Sequence, residues 1–177
     1  MPEMFLRRLS RWQAEQQREA VADLYVEARR GTAGAEYDIR QDFLHRFERD
    51  VQQTDFDMVV AEAGALLGCL YGYRAERGSE WWEVMRSVLS PAAFERTTAG
   101  RVFLLSELMV VPAERGSDVA RRLRTLLLTR HTSDVVVAVI QPDDDQGREV
   151  LQSWDWTKLG EFTHQREGWL RPPSPLP

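Results

Sequence analysis

A chain of 177 residues fits one domain of ordinary size. With 43% hydrophobic and 29% charged residues it lies far from the weakly hydrophobic, highly charged sequences that stay disordered. Its 23 basic and 28 acidic residues leave a formal charge of −5 and a pI near 5.3, which denies it the broad positive field that a nucleic-acid backbone requires. A single cysteine, Cys69, cannot close an internal disulfide, no charged-then-apolar leader opens the sequence, and no apolar run reaches the roughly 18 residues that span a bilayer. The expectation is a soluble, cytoplasmic protein with neither a nucleic-acid nor a membrane partner.

In chain order, Phe5 to Leu9 reads as a short opening strand. A polar stretch from Gln13 to Arg30 follows, in which Ala20, Val21, Leu24, Tyr25 and Ala28 recur at helical spacing. Gly31 to Gly34 stops that helix, and a second amphipathic pattern runs from Tyr37 to Val51 with Ile39, Phe43 and Phe47 on one face. Phe56 to Ala63 and Leu66 to Tyr73 are β-branched and aromatic runs separated by Gly64 and Ala65, the pattern of a hairpin. Gly78 to Gly100 is an excursion with a helical middle (WWEVMRSVL), a Pro91 breaker and a Thr97 to Gly100 turn.

Val102 to Val111 is the strongest strand in the sequence, interrupted by Ser106 and Glu107. After Pro112 the period changes to about 3.6, with Val119, Leu123, Leu126 and Leu127 on one helical face. Asp134 to Ile140 is nearly continuous apolar, as in a strand covered on both faces. Pro142 and the run Asp143, Asp144, Asp145 precede a last helix from about Gln146 to Trp154, the acidic run complementing its dipole. Glu161 to Thr163 and Gly168 to Leu170 read as terminal strands. A single α/β domain over residues 1–171, with a flexible Pro-rich tail over 172–177, accounts for the order of elements.

The junction VVPAERGSDVARRL runs a strand directly into a helix. Unpaired amides and the positive dipole end at a helix start make an anion seat suited to phosphate. Arg115 and Arg121 add full charges, and Gly116 and Ser117 permit close approach of backbone to ligand. An ordinary reading stands beside this one: Ser117 or Asp118 is a plain N-cap, and exposed arginines need no ligand.

The segment FLLSELMVVPAERGSDVARRLRTLLL resembles the acyl-CoA-binding core of the GNAT N-acetyltransferase superfamily, in which a strand ends in Val-x-Pro and enters a pyrophosphate loop of form Arg/Gln-x-x-Gly-x-Gly/Ala. VIQPDDDQGREVLQSWDWTKLGE is similar to the strand and helix that follow in that family, and GSEWWEVM to an excursion of actinobacterial-type members. The resemblance covers roughly Arg101 to Glu161 and implies a mixed central sheet of about six or seven strands flanked by about four helices. It further implies that acetyl-CoA is the co-substrate, with its pyrophosphate on the amides of Gly116, Ser117, Asp118, Val119 and Ala120, aided by Arg115 and Arg121, and its pantetheine paired with Met109, Val110 and Val111. Asp118 stands where the family has a second glycine, Asp144 where it has asparagine, Leu151 where a tyrosine often protonates the thiolate, and Asp155 where Trp-Gly-Trp has glycine. A carboxylate at position 118 would weaken rather than abolish binding of a diphosphate.

The implied activity is acyl transfer to a small amine, with Glu107 taking the amine proton through water and the Val110 or Val111 amide receiving the developing oxyanion. The ordinary reading of Glu107 is a strand carboxylate paired with an arginine. With Leu151 inert, Tyr71, Tyr73 or water must serve as the acid. Two alternatives stand beside this activity: a catalytically degenerate member that binds a ligand or protein, and non-acetyl-transfer chemistry in the same cleft. His45, His131 and His164 sit in no metal-ligand spacing, so no metal is expected. Cys69 reads as core. Trp81 and Trp82 cannot both point inward; packing on the sheet is the simplest role, with a pocket wall or a homodimer contact left open.

Overall fold

The computed structural model describes residues 3–29, 36–99, 101–162 and 166–172. The Gly31 to Gly34 stop, Gly100, Thr163, His164 and residues 173–177 of the tail lie outside these. Seven strands form one mixed sheet in the order β1-β2-β3-β4-β5-β7-β6: β1 (Phe5–Leu9), β2 (Asp57–Ala63), β3 (Ala65–Ala75), β4 (Val102–Val110), β5 (Val135–Ile140), β6 (Thr157–Phe162) and β7 (Arg166–Leu170). The helices are α1 (Arg11–Gln16), α2 (Arg18–Ala28), α3 (Glu36–Val51), α4 (Glu80–Val88), α5 (Pro91–Ala99), α6 (Val119–Leu128) and α7 (Asp145–Ser153). None is long and apolar enough among the described residues to cross a membrane.

Seven helices are described because two of the five helical stretches in the sequence divide. The first breaks at Gln17, between a capping box at Ser10 and Gln13, which fixes the start of α1, and the buried stripe Val21, Ala22, Leu24, Tyr25 of α2. The excursion folds as two helices. Pro91 opens α5 instead of breaking α4, since its missing N–H costs nothing in a first helical turn, and Thr97 to Ala99 continue that helix.

The chain packs as two compact units, Met1–Gly72 with Glu107–Leu128, and Tyr73–Ser106 with Thr129–Pro177. In the first, β1, β2 and β3 are antiparallel, with registers running from Phe5↔Glu62 and from Asp57↔Gly72. Phe43 and Phe47 are wholly buried on α3; Tyr25 stacks on Phe43 at 4.5 Å, and Tyr71 meets Phe47 edge-on at 5.4 Å. Met58, Val60, Cys69, Met109 and Val111 complete this core. Burial pushes the Cys69 thiol well up, as fits a core residue rather than a nucleophile. Arg8 reaches Asp57 at 2.5 Å and the carbonyl of Leu126 at 2.7 Å, fastening the end of α6 to β1.

In the second unit, β4 and β5 are parallel from Val102↔Val135 to Leu105↔Ala138, and β7 lies antiparallel to both β5 and β6. Trp81 meets Phe162 at 6.2 Å and Trp82 meets Phe94 at 5.8 Å, so both tryptophans are half-buried packing residues. Asp144 caps α7 by accepting from the Gly147 amide at 2.8 Å. Strand β6 begins at Thr157, earlier than its sequence suggests.

Helix α7 ends in a Schellman turn: Trp156 N donates to Leu151 O and Asp155 N to Gln152 O, each at 3.0 Å. Asp155 has φ of 60°, the left-handed conformation that favours glycine. Asp155→Gly should therefore raise the melting temperature by about 2–4 °C, roughly 1 kcal/mol of relieved backbone strain less the added entropy of the unfolded chain. A lower melting temperature in calorimetry would show that Asp155 contributes through its side chain.

Candidate functional site

The geometry of the strand-to-helix junction starts with β4. Its Val102 and Leu104 cluster with Tyr73 and Ala75 of β3, and Met109 and, just past the strand, Val111 cluster with Cys69 and Tyr71. The polar pair Ser106 and Glu107 interrupts the apolar residues of β4.

The Val111 amide donates to Leu67 O at 2.9 Å, and Met109 O faces Gly68. Backbone groups alternate along a strand, so Leu108 and Val110 present theirs away from β3.

After β4 the chain makes a single 3-10 turn over Pro112–Glu114, closed by Arg115 N to Pro112 O at 3.2 Å. Ser117 then spends both its amide, at 3.1 Å, and its hydroxyl, at 2.6 Å, on the Glu114 carbonyl. Its amide thus has an acceptor within the turn. Gly116 has φ of 83°, with open space where a Cβ would project. That conformation turns the chain into α6, whose first full bond is Arg122 N to Asp118 O at 2.9 Å. Ala120 and Arg121 therefore stand in the first turn, where amides lack helical acceptors.

The Val119 amide meets Ser117 Oγ only at 3.4 Å. The Asp118 carboxylate does not cap the helix; it accepts from Arg121 Nη2 at 3.1 Å, in a pair more than half exposed. Arg115 donates to the Ala28 carbonyl at the end of α2. Gly68 lies directly beneath this turn: a Cβ there would meet Met109 O at 2.9 Å, Leu123 Cδ1 at 3.2 Å and Val119 Cγ1 at 3.3 Å.

Glu107 is buried, and Arg46 Nη2 donates to its Oε1 at 3.3 Å and to Tyr25 Oη at 3.1 Å. Neither Arg46 nor Tyr25 stands out as functional in the sequence. The available signal is the position of Arg46 three residues after Phe43, at the margin of the apolar stripe of α3. Tyr71 is wholly buried and its hydroxyl has no hydrogen-bond partner. Burial first, then the charges of Glu107 and Asp50, push that phenol well above its usual range, which makes it a weak acid for a departing thiolate. Leu151 is buried on α7. His131 stacks on Phe103 at 3.8 Å with its Nδ1 2.8 Å from Asp134, a packing role.

No protein-family model and no curated protein sequence matches this chain. Solved structures do. PH1933 from Pyrococcus horikoshii superposes with a TM-score of 0.67 at 13% identity, covering 98% of this chain and 100% of that one. The PaiA N-acetyltransferase from Thermoplasma acidophilum, in complex with coenzyme A, gives 0.61 at 12% identity over 96% and 98%. The aminoglycoside N-acetyltransferase AAC(6')-Iy, in complex with CoA, gives 0.55 at 15% identity over 86% and 87%. With seven strands in this order and these structural neighbours, the chain has a GNAT-like mixed α/β fold.

Proposed function

We propose that the protein is an acyl-CoA-dependent N-acyltransferase that uses acetyl-CoA and a small amine acceptor. The observation that carries this reading is Gly116, whose left-handed turn brings the chain into α6 with open space where a Cβ would project, at a helix start whose first-turn amides lack helical acceptors. The amides of Gly116, Asp118, Val119, Ala120 and Arg121, with the guanidinium groups of Arg115 and Arg121, hold the pyrophosphate. The outward backbone edge of Leu108 and Val110 receives the pantetheine as an added strand, flanked by Met109 and Val111. Two neighbours of the same fold, PaiA and AAC(6')-Iy, were solved with coenzyme A bound, which supports the reading.

Acetyl-CoA supplies the thioester carbon. The amine attacks it, the C–N bond forms as the C–S bond breaks, and the thiolate leaves. Glu107 receives the amine proton through water, Val110 N–H faces the carbonyl oxygen, and water protonates the thiolate, since Leu151 has no proton to give and Tyr71 is a poor acid. A thiolate tolerates this, because thiols ionise near pH 8.5.

Melting the protein with and without acetyl-CoA tests the reading. At about 100 times the dissociation constant the ligand adds roughly 2.7 kcal/mol, a rise of about 5–10 °C for a chain of this length. Asp118→Gly should tighten binding by about three- to tenfold, because it removes one exposed, already paired negative charge from beside two phosphates. An unmoved melting temperature at millimolar acetyl-CoA would reject the proposal. The Asp118–Arg121 pair standing in the cradle would then favour the second reading, a protein that keeps the fold and binds another ligand or a protein partner.

A further inference from the structure

Three elements converge on one carboxylate in the first unit. The Arg46 side chain from α3 is about one-fifth exposed, and that of Glu107 from β4 is 8% exposed. The guanidinium carbon lies 5.4 Å from the centre of the Tyr25 ring and 5.9 Å from that of Phe43, so aromatic faces from α2 and α3 flank it. A second cation, Arg29, lies 4.8 Å from the centre of the Tyr25 ring. One donor, Nη2, serves both Tyr25 Oη and Glu107 Oε1. An arginine held by a hydroxyl and two rings has little freedom to follow the carboxylate; the carboxylate must instead conform to it.

We propose that Arg46 is a positioning residue for Glu107, fixing the carboxylate in one rotamer on β4 so that it meets the relay water in a constant orientation. The inference rests on the role given to Glu107 above and adds the group that sets its geometry. It also bears on charge. Burial alone would make Arg46 easier to deprotonate, yet the Glu107 carboxylate beside it leaves it more firmly protonated than a free arginine. Electrostatic coupling is mutual, so the guanidinium stabilises the ionised carboxylate by the same interaction.

The other titratable groups around Glu107 are Tyr25 on α2, Asp50 on α3, and Cys69 and Tyr71 on β3. Burial, reinforced by the Glu107 charge, pushes Tyr25, Cys69 and Tyr71 above their ordinary ranges. They stay neutral while Glu107 titrates. Asp50 opposes Arg46 through its negative charge. Arg46 is the cation that donates to Glu107, so its removal tests their coupling directly.

The test needs neither acyl donor nor acceptor, so it stands apart from the fate of the acetyl-CoA reading. In protein labelled with 13C at glutamate carboxyls, the Glu107 resonance is identified by its loss in Glu107→Gln and followed from acid to neutral pH. Arg46→Met should move its midpoint upward by about one pH unit or more, and Arg46→Lys, which restores the charge without the planar fork, should recover at least half of that shift. Arg46→Gln keeps donors for both oxygens without the charge and carries the same expectation as Arg46→Met should the latter fail to fold. A midpoint unmoved in a folded uncharged variant would overturn the proposal, leaving Arg46 a packing residue. An unmoved melting temperature with acetyl-CoA would instead overturn only the transferase reading.

Discussion

Glu107→Gln should slow acetyl transfer by about a hundredfold or more while leaving the affinity for CoA within about twofold of the parent, because a general base contributes roughly 10² to 10⁴ in rate and does not touch the diphosphate. Structure makes this substitution cleaner than it looks in the sequence. The amide oxygen of glutamine can still accept from Arg46 Nη2, which now reaches Oε1 at 3.3 Å, so the guanidinium keeps a hydrogen-bond partner while losing its counter-charge. Loss of rate with retained CoA binding and a lowered but still cooperative melting transition is the expected pattern. Turnover at the parental rate would remove Glu107 from the proton path, and a collapse in stability would assign it to packing instead.

Gly168→Ala should destabilise the fold by about 2–4 kcal/mol, or roughly 4–16 °C in melting temperature. A Cβ at Gly168 on β7 would fall 2.1 Å from Cζ and 2.4 Å from Cε2 of Phe162 on β6. The far end of the ring covers the glycine, as an aromatic covers a bare strand position. It is itself buried, 5% exposed, in contact with Trp81, so it cannot step aside without opening a void. In the Gly168→Ala background, Phe162→Leu should recover part of the loss, a coupling between neighbours that independent sites would not show. Additive effects of the two substitutions would mean that the ring yields freely.

Strands were legible to within a residue or two wherever β-branched and aromatic residues are continuous: β1, β2, β4 and β5 carry their own signal. β6 did not, because Thr157 and Lys158 are exposed and β6 owes its register to β7. The break at Gln17 was hidden because polar residues fill both sides of it. Pro91 shows the same limit from the other side: one residue type both ends and begins helices, and only its position in the turn decides which.

At the candidate site, the Gly116 turn and the arginines around it could be read locally, since their chemistry depends on neighbours in the chain. Arg46 could not, being 61 positions from Glu107. Nor could the engagement of Val111 with Leu67 of β3. Hydrogen-bond parity along a strand is a property of the paired sheet, and composition does not encode it.

Gly68 has a further consequence. The first turn of α6 rests on that bare position, with Met109 O, Val119 and Leu123 closed in around the place of a missing methyl group. The glycine acts as a shim of zero thickness: it sets how far the mouth of α6 stands above the strands, and through that the reach of every amide there. The position of that first turn is thereby set by a residue beneath the helix rather than in it.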